Sequence, residues 1–165
     1  MTLASIEQLH TYLADLVEEL ERYAVIVLPP DDGDEITLGQ DPDGGLVIDL
    51  ECRLPMSRRS RDVILDVVER WRPIGRDEWA CVEYAYELRH HELGYRRAFH
   101  RHDEDRFVRA YGVATHEHCE ATLGLEVCGH YYGRPLTDAF DGFRRLYETW
   151  LTDQKPDCLA LSCLD

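Results

Sequence analysis

Apolar runs of membrane-crossing length are missing from this 165-residue chain, since nothing in it approaches the ~20 consecutive apolar residues that a bilayer span needs. The N-terminus opens on Thr2 and acidic residues, without the basic-then-apolar run of a secretory leader, so a cytoplasmic location is expected. Lysine is nearly absent: Lys155 stands alone against seventeen arginines, a bias that a GC-rich coding sequence produces as readily as phosphate recognition does. No GxSxG, P-loop or dinucleotide fingerprint occurs, and Gly124-Leu-Glu-Val-Cys-Gly129 has the wrong spacing for one. The strong metal signatures, two CxxC pairs or HExxH, are also missing. Six cysteines would suggest disulfides in a secreted chain of this size, but a cytosol keeps thiols reduced. Most are therefore read as small buried hydrophobes, and only Cys119 and Cys128 lie among histidines.

Charge is abundant but of one sign. The formal net charge is −15, which opposes non-specific binding to a polyanion. Residues 1–50 carry twelve carboxylates against Arg22 alone, whereas residues 51–110 carry thirteen arginines against twelve carboxylates. Only this middle third offers a place for phosphate to dock.

The length fits one domain, and no linker, repeat or low-complexity segment divides it. Ser5 and Gln8 form a candidate capping box. Ile6, Leu9, Tyr12, Leu13, Leu16, Val17 and Leu20 then follow the helical period. Ala24–Leu28 is a β-rich run closed by two prolines, and Asp43-Gly44-Gly45 turns the chain into Leu46–Leu54, whose alternation predicts a half-buried strand. Residues 63–71 fit either a helix face or a strand, and their β-branched content favours the strand. Ala80, Val82, Tyr84, Tyr86 and Leu88 alternate in a further strand, 79–88. Glu92-Leu93-Gly94 predicts a hairpin turn into 95–102. Residues 103–110 read as a short helix or a loop, and 111–120 and 127–132 as two short strands. Thr137 is the expected cap of a helix whose face holds Ala139, Phe140, Phe143, Leu146, Tyr147, Trp150 and Leu151. Residues 156–165 read as a loosely held tail. The expected fold is α+β, an antiparallel meandering sheet with the N-terminal and C-terminal helices packed on one face.

Seven of the eight histidines fall between His90 and His130. His100/His102, His116/His118 and Cys128/His130 are i, i+2 pairs, a spacing that on a strand puts both side chains on one face, ~7 Å apart. Two such pairs on neighbouring strands can surround one ion, so His116, His118, Cys128 and His130 are a candidate tetrahedral Zn²⁺ set. Alternatively the histidines do acid–base work or are structural. In the acid–base case His116 and His118 suit RNA cleavage at neutral pH, one imidazole taking the 2′-hydroxyl proton and the other protonating the leaving oxygen. His102 is a further acid–base candidate, Arg97 would steady the charge on phosphorus, and Arg96, Arg101 and Tyr95 would supply phosphate and stacking contacts. Cys119 is a poor nucleophile candidate, because adjacent strand residues such as His118 point to the opposite face.

The order of features from about Val63 to Leu151 resembles the TumE-like proteins, small bacterial proteins grouped as the toxin halves of toxin–antitoxin pairs. The likeness lies in a strand ending Glu69-Arg-Trp71, the tyrosine-alternating Glu83-Tyr-Ala-Tyr86, a return strand with Tyr95-Arg-Arg97, the His116-Glu-His118 element and a closing helix. The acidic first third, the second H-x-H at His100 and His102, and Cys128-Gly-His130-Tyr-Tyr depart from it. The resemblance implies a toxin acting on RNA, with an antitoxin as protein partner. The competing class is a non-catalytic acidic interaction module (an immunity, antitoxin-like or phage-encoded inhibitor protein) with a structural His/Cys cluster. A homodimer is a candidate assembly in either case, and no membrane partner is expected.

Overall fold

The computed structural model describes residues 2–3, 5–22, 26–27, 37–40, 42–54, 63–90, 92, 95–101, 109, 115–120, 129–131, 136, 138–151 and 162–163. Within them the chain runs β1 (Thr2–Leu3), α1 (Ile6–Arg22), β2 (Ile26–Val27), β3 (Thr37–Gln40), β4 (Leu46–Arg53), β5 (Val63–Pro73), β6 (Trp79–His90), β7 (Tyr95–Arg101), β8 (Thr115–Glu120), β9 (Gly129–Tyr131), α2 (Ala139–Leu151) and β10 (Ser162–Cys163). The strands form one sheet in the order β10-β9-β8-β7-β6-β5-β4-β2, with β1 beside β6 and β3 beside β4. Each of these pairings is antiparallel. The fold is α+β, with a meander from β4 to β9 between an N-terminal and a C-terminal helix. Among the described residues no helix is long and apolar enough to cross a membrane.

Helix α1 starts where its cap requires. The Gln8 amide donates to Ser5 Oγ at 3.2 Å, which satisfies one of the four orphan donors of a helix start. Its buried residues, Leu9, Tyr12, Leu16 and Leu20, recur every three or four positions. The cap of α2 differs from the expected Thr137, which lies outside the described residues. The Asp138 carboxylate accepts the Asp141 amide at 2.9 Å, so the helix opens one residue later.

Residues 63–73 form a strand in which Val63, Leu65, Val67, Glu69 and Trp71 are all buried. A helix would have gathered Val63, Ile64, Val67, Val68 and Trp71 instead. The strand wins because its alternate face sets Asp66 and Arg70 against Arg89 and Glu83 across the β5–β6 pair. Opposite, the register slips between Arg70 and Trp71: Arg70 pairs with Glu83, but Trp71 pairs with Cys81. The extra residue of this bulge, Val82, changes the phase of the strand. Cys81 therefore joins Tyr84, Tyr86 and Leu88 in the core, whereas simple alternation had selected Ala80 and Val82.

Among the described residues Trp71, Tyr86, Phe99 and Phe143 are the largest fully buried side chains, and burial of a large apolar side chain contributes ~1.5–3 kcal/mol. Gly142 lets α2 approach the sheet, since a Cβ there would stand 2.6 Å from Tyr86 Cδ2. Gly44, with φ of 80°, occupies the left-handed region that the turn before β4 requires. Within the segment expected to be a tail, Ser162 and Cys163 pair with Tyr131 and His130.

Candidate functional site

Residues directly opposite one another in an antiparallel pair share a sheet face, so the register sorts the candidate residues into two sets. On the face that holds Tyr86 and Phe99, His90 and Tyr95 are opposite one another, and their rings lie 5.5 and 5.4 Å from that of Trp150 in α2. Arg97, opposite Leu88, and Arg101, opposite Tyr84, occupy the same face. The Arg97 guanidinium carbon sits 5.7 Å from the centre of the Phe99 ring. Continuing outward, Glu117 is opposite Phe99 and His130 is opposite Glu117. His130 thus falls in this register as well.

The other face carries Glu87 on β6, Arg96 and His100 on β7, and the register positions of His116 and His118 on β8. His100 pairs with His116, and Ala98 with His118. Glu87 pairs with Ala98 from the other side. His100, His116 and His118 accordingly occupy one corner of a two-strand ladder, with Glu87 on the strand behind.

Of the residues singled out from the sequence, His116, His118 and Arg96 share a face. Tyr95, Arg97 and Arg101 belong to the opposite one, which separates them from a site built on His116 and His118. His130 is likewise out of phase with His116 and His118, so the register does not put the four proposed zinc ligands on one face. His102 and Cys128 lie outside the described residues. Glu87 was not selected, and His100, noted as half of the His100/His102 pair, was assigned no role.

The electrostatics of the second face are built around Glu87. Arg96 donates to it through Nε at 2.8 Å and Nη2 at 2.7 Å, a bidentate pair. His100 Nε2 lies 3.7 Å from Glu87 Oε2, an ion-pair distance. Burial alone would raise the Glu87 pKa, but the His100 imidazole and the Arg96 guanidinium outweigh it and hold the carboxyl at about 2. One strand further, Asp66 accepts from Arg89. There burial dominates, and the Asp66 pKa is raised despite that arginine. Glu87 is therefore a fixed anion that orients both Arg96 and His100.

The first face contains a second carboxylate that sequence reasoning missed. Glu69 is fully buried. Its Oε1 accepts from Tyr12 Oη and Tyr86 Oη, each at 2.6 Å, and its Oε2 accepts from Trp71 Nε1 at 3.0 Å. Burial is the largest influence and raises its pKa, while the three neutral donors act in the opposite direction. The same burial and the Glu69 charge push both phenols upward. This cluster joins α1, β5 and β6 and has the character of a structural core.

Cys52 and Cys81 are buried free thiols. Burial pushes Cys52 up to about 12, and Cys81 Sγ donates to the Glu83 carbonyl at 3.2 Å. Both fit the reading of small core residues and neither is an activated nucleophile. Among the described side chains no group of three or more His, Cys, Asp or Glu gathers about a metal position. No protein-family model matches the chain, and neither does any curated protein or solved structure.

Proposed function

We propose that the chain is a cytoplasmic, toxin-like protein that acts on RNA through the sheet face holding His100, His116, His118 and Arg96. The observation that carries this reading is the cross-strand pairing of His100 with His116, with His118 two residues along and in phase. Opposite residues of an antiparallel pair have Cβ atoms ~4.5–5.5 Å apart, within the span of one phosphodiester. Arg96, already oriented by Glu87, supplies a planar donor on the same face for the phosphate oxygens. Imidazoles supply groups that gain and lose protons near neutral pH. The net charge of −15 argues against broad nucleic-acid affinity, so recognition rests on this local face and on a protein partner of the antitoxin kind.

The test is expression of the wild type, His116→Ala and His118→Ala, with growth, RNA integrity and thermal melting measured together. A positioned proton-transfer group contributes ~10²–10⁴-fold. The variants should therefore lose activity on RNA and retain the melting temperature. A wild type that leaves growth and RNA intact without any partner would remove this reading in favour of the acidic interaction module.

A further inference from the structure

The sheet face that carries Glu87 sorts its charges into rows. The register aligns residues across β4 to β7, so that one row reads Arg53, Ile64, Arg89 and Arg96, and the next reads Glu51, Asp66, Glu87 and Ala98. Three arginines therefore stand in one row and three carboxylates in the row beside it. Directly opposite residues of a strand pair interact closely, and like charges there are destabilising. A face that met only water would gain from alternating the signs across the strands. Diagonal ion pairs offset part of this cost: Arg89 reaches Asp66 and Glu87, and Arg96 holds Glu87. They leave the acidic row short of cations. Burial, the largest influence, raises the Asp66 pKa; Arg89 opposes it, and the Glu87 and Glu51 charges add to the rise.

We infer that these two rows are a self-complementary docking surface for a second copy of the chain, forming a two-fold homodimer with each copy's arginine row over the other's carboxylate row. The rows are two residues apart along the strands, ~7 Å. A two-fold axis parallel to the rows, midway between them and between the two sheets, exchanges the rows and leaves each strand over its counterpart. Arg53 then meets Glu51 of the partner copy, and Arg89 meets Glu87 of the partner copy, each contact occurring twice as an isologous interface requires. Facing sheets lie ~10 Å apart, a gap that two long charged side chains bridge. Glu51 and Arg53 are exposed, and Arg89 and Asp66 keep 29% and 21% of their side-chain surface accessible. Three charges of each sign make the two rows neutral in a chain of net charge −15, so two copies can approach here without the repulsion that the whole charge imposes. A partner of one sign fits less well: a polyanion would meet the carboxylates, and a basic peptide the arginines. Arg96 belongs to the arginine row, so the dimer covers part of the face assigned to RNA. That consequence rests on the proposed function, whereas the dimer does not.

The experiment is sedimentation equilibrium of the full-length chain, with thermal melting followed in parallel. The wild type should show a monomer–dimer equilibrium with a Kd on the order of micromolar, as a small polar interface gives. Arg53→Glu and Glu51→Arg should each weaken self-association by at least ~10-fold, because each sets like charges across the axis twice. Mixing the two variants should restore dimers, and so should combining both substitutions in one chain, since either way every arginine again faces a glutamate. Both side chains are exposed, so all variants should melt with the wild type. Net charge alone makes the opposite forecast for one of them: Glu51→Arg reduces the overall repulsion and would strengthen association. A wild type that stays monomeric at ~100 µM, about a hundredfold above a micromolar Kd, overturns the assignment, whether or not a basic peptide binds this face. So do single reversals that leave association unchanged, or folded variants that remain monomeric when mixed. RNA integrity measured with the same samples separates the two proposals. A monomer that acts on RNA would remove the dimer alone, and a dimer without action on RNA would keep the interface and remove the function.

Discussion

Replacing Glu69 with glutamine isolates a fully buried carboxylate with no cation among its hydrogen-bond partners. The amide oxygen can keep both phenol bonds at the Oε1 position, from Tyr12 and Tyr86. The amide nitrogen must then face Trp71 Nε1, which now donates to Oε2, so two donors meet and the indole N–H loses its acceptor. Trp71 is fully buried, and an unsatisfied buried donor costs ~1–3 kcal/mol. The pH dependence tests the physics more sharply. Burial raises the folded pKa of Glu69 above its ordinary 4.5, so between those two values the folded state binds more protons than the unfolded state. Its contribution to stability is fully present below about pH 4.5 and is lost as pH rises through the folded value, at up to ~1.4 kcal/mol per pH unit. The glutamine variant has no such loss. Denaturant unfolding followed by tryptophan fluorescence from pH 4 to 8 should therefore show the variant less stable at pH 4 and the gap closing as pH rises. A gap that widens with pH would refute the reasoning, because it would mean that the three donors outweigh burial and Glu69 is a stabilised anion.

Four further outcomes follow from the same structure. Gly142→Ala should lower the melting temperature: the new Cβ would stand 2.6 Å from the Tyr86 ring, and overpacking of ~1–3 kcal/mol exceeds the ~1 kcal/mol gain in helix propensity. Glu87 behaves with the opposite sign to Glu69. Its folded pKa is lowered to about 2, so its contribution, at most on the order of 3 kcal/mol, is present above about pH 4.5 and lost as pH falls; Glu87→Gln should flatten that acid limb in urea titrations. Asp138→Ala removes the acceptor of the Asp141 amide and should cost ~1 kcal/mol of stability by thermal melting. The Cys52 thiol, buried and pushed up to about 12, should react with a disulfide reagent at pH 8 only as fast as the protein unfolds, which a stopped-flow labelling curve in denaturant measures.

The parts of the fold that were legible in the sequence are those in which one period runs uninterrupted. Leu9, Tyr12, Leu16 and Leu20 announce α1, and the alternation of Ile48, Leu50 and Cys52 announces β4. Residues 63–73 were ambiguous because Val63 and Val67 satisfy both periods; only the partners of Asp66 and Arg70 on β6 decide between them. The bulge at Val82 was illegible, since nothing local marks where a strand takes an extra residue. Within the site, the split of Arg96 and His100 from Arg97 and Arg101 follows from alternation about Phe99 and could have been read directly. The phase of His130 relative to His116 could not. It depends on how residues 121–128 connect two strands, and no spacing rule converts an eight-residue connection into a register.

The opposed behaviour of Glu69 and Glu87 ties the fold to the proposed chemistry. They are the same residue type on adjacent strands, yet one faces two phenols and an indole while the other faces a guanidinium and an imidazole. The neutral donors do not offset the burial of Glu69, whereas Arg96 and His100 do offset that of Glu87, and the two pKa values move apart. Each face of the sheet therefore has its own electrostatic role. The face that holds Glu69 ties Tyr12 of α1 to β5 through neutral donors, while the other sets the Glu87 carboxylate against Arg96 and His100. Changes on the second face should then alter the proposed action on RNA while leaving the stability limb set by Glu69 in place. Sites linked through no shared partner are additive to within ~0.3–0.5 kcal/mol. A double variant of Glu69→Gln with His118→Ala should accordingly unfold with the stability change of Glu69→Gln alone, and a coupling energy well above that limit would show that the two faces do not act separately.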